Sequence, residues 1–139
     1  MNNVRFLKLH TAADNSPLIV RDNLIVSAYR SDNGTVINFY EGDMSSELNV
    51  KETPERIISM TDEGFVKLHF RDDNKTVCIN VDYIKNVFNT EKSSGGTQVN
   101  MLDLEFVVNE TPEKVYNLLQ RAVNRDVQSP EAKKETVTK

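Results

Sequence analysis

Two stretches of this chain return later in the same order. Phe6-Leu7-Lys8-Leu9-His10 comes back as Phe65-Val66-Lys67-Leu68-His69, and Glu52-Thr53-Pro54-Glu55 as Glu110-Thr111-Pro112-Glu113. A unit of roughly 57 residues used twice constrains the fold strongly, because whatever one copy forms the other must be able to form. The spacing also shows where the copies differ. Phe6 to Phe65 and Ile25 to Ile84 are both shifted by 59 positions, Gly34-Thr35 to Gly96-Thr97 by 62, and Glu52 to Glu110 by 58. The length changes therefore fall around Ser93-Ser94-Gly95-Gly96 and between Met101 and Phe106. Both are expected turns, where insertions and deletions cost little.

A chain of 139 residues suits one compact domain. One unit alone would bury too little surface to be secure, whereas two can share a core. The expected architecture is α+β, mostly β, with two tandem β-meander-plus-helix repeats related by a pseudo-twofold and packed as one compact unit. Repeat 1 spans residues 1–63, repeat 2 spans 64–125, and the polar stretch 126–139, with Pro130 and Lys133-Lys134, reads as a flexible tail.

Within a unit, the first segment alternates as a strand does. Leu7 and Leu9 fall on one face, and Phe6, Lys8 and His10 on the other. Pro17 to Tyr29 is rich in β-formers but broken near Asp22-Asn23, which predicts two short strands or one bent one. Ser31-Asp32-Asn33-Gly34 is a hairpin turn, since Asn-Gly supplies positive φ angles. Thr35 to Tyr40 forms the next strand and Leu48 to Val50 the last. Glu-Thr-Pro-Glu then starts a helix. Threonine caps it, proline fits the first position and the glutamate after it complements the dipole. In the second copy Val115, Leu118, Leu119 and Ala122 form the stripe of a helix lying on a sheet.

Each half resembles the small bacterial flagellar and swarming-motility proteins of the FlbD/SwrD type. The resemblance rests on Gly34-Thr35-Val36-Ile37 with Val50-Lys51-Glu52, and more loosely on Gly96-Thr97-Gln98-Val99 with Val108-Asn109-Glu110. It implies a non-enzymatic accessory protein with a β-meander-plus-helix unit. Members of that family carry a single unit, and the duplication departs from them.

Composition narrows the function classes. A net charge of −4 and a pI near 5.2 argue against strong non-specific attraction to nucleic acid or anionic membranes. No apolar run approaches the ~20 residues needed to span a bilayer, and there is no signal-peptide pattern at the N-terminus. A cytoplasmic location is expected, or a virion if a phage encodes the chain, with no membrane partner. Cys78 is the only cysteine, so no internal disulfide and no cysteine-based metal cluster can form. In the apolar run Val77-Cys78-Ile79 it reads as a buried structural thiol.

No catalytic motif stands out, and no catalytic residue, cofactor or metal site is expected. Ser93-Ser94-Gly95-Gly96 lacks the lysine of a phosphate loop, and Asp72-Asp73-Asn74 is too short for a calcium loop. His10 and His69 are equivalent positions, but two histidines alone make a poor metal site. The candidate interaction face is Phe6, Lys8, His10, Phe65, Lys67 and His69. Aromatics alternating with cations on an exposed strand could stack bases and hold phosphates. Alternatively, the two phenylalanines belong to the core, with Lys and His at solvated strand ends. The leading expectation is a non-enzymatic protein-interaction or assembly module, a structural or accessory part of a larger prokaryotic or phage assembly. It would bind other proteins or further copies of itself. The alternative is a single-stranded nucleic-acid-binding protein using the Phe-x-Lys-x-His faces.

Overall fold

The alternating and β-branched segments fold as strands in a computed structural model that describes residues 5–90 and 96–127. Strands β1 (Phe6–His10), β2 (Pro17–Arg21), β3 (Ile25–Ser31), β4 (Gly34–Glu41) and β5 (Met44–Val50) precede helix α1 (Pro54–Ser59). Strands β6 (Phe65–His69), β7 (Thr76–Asn80), β8 (Asn86–Asn89), β9 (Thr97–Asn100) and β10 (Glu105–Val108) precede helix α2 (Pro112–Val127). The break at Asp22-Asn23 is a single 3-10 turn, Asp22–Leu24, and Val81–Tyr83 forms another. The fold is mostly β, with antiparallel sheets and a C-terminal helix. No described helix is long and apolar enough to cross a membrane.

Local chemistry fixes the turns and caps. Asn15 (φ 61°) and Asn74 (φ 60°) take the left-handed conformation between β1 and β2 and between β6 and β7, which asparagine tolerates better than branched residues. Thr53 accepts a hydrogen bond from the Arg56 N–H at 3.1 Å, and Thr111 one from the Lys114 N–H at 3.2 Å. Each cap satisfies an amide that a helix start leaves without an internal partner. Helix α2 runs through Val127, two residues into the expected tail. Residues 128–139 of that tail, and 93–95 of the expected insertion, lie outside the described residues.

Pairing divides the strands into a β1-β2 hairpin, a five-stranded sheet β5-β4-β3-β7-β6 and a three-stranded sheet β10-β9-β8. Isolated bridges then join Thr11 to Val50 and Phe70 to Val108. In residues 5–63 the strands thus curl in the order β2-β1-β5-β4-β3, and in residues 64–127 in the order β7-β6-β10-β9-β8. Each is a partly closed barrel, with β2 and β3 as the end strands of the first and β7 and β8 of the second.

One edge of each barrel meets the other. β3 pairs antiparallel with β7 through Ser27–Ile79, Ala28–Cys78 and Tyr29–Val77. These two strands are buried on both faces, with Ile25, Ala28 and Cys78 in one apolar cluster and Val26, Val77 and Ile79 in the other. There are accordingly two cores, one on either side of a shared strand pair. Two buried asparagines at this seam are satisfied: Asn38 donates to Ser27 Oγ at 2.8 Å and Asn80 to the Ile25 carbonyl at 3.0 Å.

The expected pseudo-twofold does not describe this contact. A twofold relating the halves would exchange β3 with β8 and β7 with β2, so β2 would pair with β8. Instead, among the described residues, β2 pairs only with β1 and β8 only with β9. The halves meet head to tail. The physical reason is that the edge used by the first barrel, β3, differs from the edge used by the second, β7.

Candidate functional site

His10 and His69 close each barrel on its helix. The His10 backbone N–H donates to Glu52 Oε1 at 3.0 Å, while its Nδ1 lies 2.7 Å from Oε2. His69 and Glu110 make the same two contacts at 3.0 and 2.7 Å. Burial pushes the Glu52 carboxyl up, but the His10 side chain and then its backbone N–H outweigh this and hold it below its ordinary value. The clamp ties the end of a barrel's first strand to the residue before its helix cap. Sequence reasoning assigned the threonine, proline and second glutamate of Glu-Thr-Pro-Glu and missed the first glutamate. The signal was present, because His and Glu are both kept in both copies.

The two histidines are not brought to a common site, since each is held by the glutamate of its own half. Among the described residues no group of three or more His, Cys, Asp and Glu side chains could hold a metal. Cys78 is fully buried, and burial pushes its thiol up to about 12, leaving no thiolate for chemistry. Two buried carboxylates are tied into the scaffold. Asp22 accepts from the Arg5 N–H at 3.0 Å and from the Thr61 hydroxyl at 2.7 Å. Glu63 is raised above its ordinary value by burial first and the nearby Asp82 charge second.

The Phe-x-Lys-x-His faces are not equivalent in their surroundings. Phe6 is 67% exposed, whereas Phe65 is 8% exposed and packs in the core formed with Ile57 and Cys78. Lys67 reaches Glu55 of α1 at 3.3 Å, while Lys8 is exposed. Phe65 and Lys67 therefore cannot offer a ring and a free cation to a base and its phosphate. The first barrel covers Phe65, and Lys67, though exposed, is engaged by Glu55.

An accessible apolar feature lies on the second barrel. A groove of about 370 Å³ runs between β8 and α2, walled by Ile84 and Val87 on one side and Tyr116, Leu119 and Val123 on the other. Tyr116 is 59% exposed and Val123 51%. Phe88 on β8 is exposed as well. In the first half Phe6, Ile19 and Leu24 are exposed on and beside β1 and β2. Apolar side chains clustered beside unpaired strand edges are the composition of an interaction surface.

No family model, curated protein or solved structure matches the chain.

Proposed function

We propose that the chain is a non-enzymatic interaction and assembly module, built of two tandem β-meander-plus-helix units over residues 1–63 and 64–125, that serves as a structural or accessory part of a larger prokaryotic or phage assembly. The observation that carries this reading is the pair of strand edges, β2 and β8, that have no strand partner among the described residues and are each flanked by exposed apolar side chains. Strand edges recognise extended backbone through main-chain hydrogen bonds, and the flanking side chains supply affinity. Two tandem units are supported by the matched His–Glu clamps, the matched left-handed asparagines and the matched threonine caps. What the two halves keep in common is scaffold, and the polar contacts at those positions are made within the chain. A cytoplasmic or virion setting belongs to the same proposal.

The test is recovery of the tagged chain from its native host or particle, beside a Tyr116→Lys variant. Wild type is expected to bring a defined partner that the variant loses. Recovery of wild type alone would remove the support for this reading.

A further inference from the structure

Resting on the interaction-module reading, we propose that the partner is a second copy of this chain, whose β2 adds to β8 and repeats between molecules the β3–β7 contact made within one. The relation between the two barrels is head to tail, and such a relation leaves one unused head and one unused tail. Those unused ends are β2 and β8. Shifting the internal register by 59 positions pairs Asn86 with Val20, Val87 with Ile19 and Phe88 with Leu18 of the next molecule.

Exposure at the two ends follows what this contact would cover. Phe6 (67% exposed) stands where Phe65 (8%) is buried by the first barrel, and Ile19 (59%) where Cys78 (0%) is buried. On the tail, Leu102 (51%) stands where Tyr40 (6%) is buried by the second barrel. Tyr40 and Tyr83 pack edge to face across the internal seam, with ring centroids 5.2 Å apart. Leu102 and the partner molecule's Leu24 take those two places. Five of the eight large exposed hydrophobic side chains among the described residues flank these two edges, Phe6 and Ile19 at one and Phe88, Tyr116 and Val123 at the other. An ordinary surface scatters such residues singly.

The groove between β8 and α2 has a matching occupant. Internally, Phe65 and Cys78 pack against Ala28 and Ile57. The counterpart of Ala28 is Val87, on the groove wall, and that of Ile57 is Val115, which is already buried beneath α2, so Phe6 and Ile19 of a second copy would pack on Val87 and the exposed face of α2. Charge agrees as well. The internal seam carries the Lys67–Glu55 ion pair at 3.3 Å, and its counterparts, Lys8 and Glu113, are both exposed and of opposite sign.

Two positions weaken the contact relative to the internal one. Lys85 occupies the place of buried Val26, and Arg21 that of buried Asn80. Cations on edge strands oppose edge-to-edge pairing. Assembly is therefore reversible and concentration-dependent, giving open chains or a ring according to the angle between successive molecules.

Sedimentation or light scattering of the full chain over a concentration series up to the millimolar range tests this. Wild type is expected to grow beyond a dimer, and Lys85→Val to do so at about tenfold lower concentration. Ile19→Lys and Phe88→Lys, both at exposed positions, should each be monomeric. Mixed together they should form a one-to-one dimer and stop, because each supplies the end that the other lacks. Wild type that stays monomeric throughout, or single variants that still self-associate, would overturn the proposal. A monomeric chain that captures a different protein from its host through Tyr116 would overturn it while leaving the interaction-module reading intact. A chain that does neither would end both.

Discussion

Glu52 and Glu110 each accept a backbone N–H and face an imidazole nitrogen, so their removal leaves a strand amide without its partner. Glu52→Gln, which keeps an acceptor oxygen but loses the charge, should cost on the order of 1.5–3 kcal/mol at neutral pH, the range for hydrogen bonds to a charged group. The Glu52 carboxyl is held below its ordinary value of 4.5, the contacts from the His10 side chain and backbone N–H outweighing the opposing effect of burial. A depressed folded-state value means that the unfolded chain takes up its proton first as pH falls. The stability that Glu52 provides is thus complete above 4.5 and is lost as pH drops below 4.5 through the lower folded value. Urea unfolding of wild type and Glu52→Gln should give curves far apart at neutral pH that converge in acid. A gap that persists unchanged would show that the carboxylate charge is not what matters.

Backbone constraint decides what can be changed at the scale of the element. Gly34 opens β4 at φ 138°, and a side chain there would place its Cβ 2.3 Å from the Val50 carbonyl oxygen. Gly42 also has a positive φ, 68°, but has open space around it. Gly34→Ala should therefore cost about 3 kcal/mol or more, and Gly42→Ala about 1 kcal/mol, when their urea midpoints are compared. Equal losses would mean that backbone conformation alone, without the close approach to Val50, sets the cost. Elements such as this were legible in the sequence because their causes are local. Asn33-Gly34 announces the hairpin, Thr53-Pro54 the helix start, and Asp22-Asn23 the break between β2 and β3. The clamp was less legible, since His10 and Glu52 meet only when the barrel closes. The unequal fate of Phe6 and Phe65 could not be read at all. Identical alternation surrounds both, and only the docking of one barrel on the other separates them.

At the scale of the whole molecule, the shared strand pair couples two cores that the two halves of the chain could have kept apart. Leu9 belongs to the cluster beneath the first barrel and Leu68 to the cluster beneath the second, and both are fully buried. β3 and β7 contribute side chains to both clusters, so loosening either core exposes part of the wall of the other. Neither barrel is large enough to be secure without that wall. Leu9→Ala and Leu68→Ala should each cost about 2–5 kcal/mol. Each should also lower one common unfolding transition instead of splitting it in two. Hydrogen exchange provides the second readout, with amides in β3 and β7 expected to be the slowest because they open only in global unfolding. If Leu9→Ala let residues 5–63 exchange early while β6–β10 kept full protection, the halves would be independent domains. The β3–β7 seam would then be a docking contact of the kind proposed between molecules, and no longer the centre of one fold.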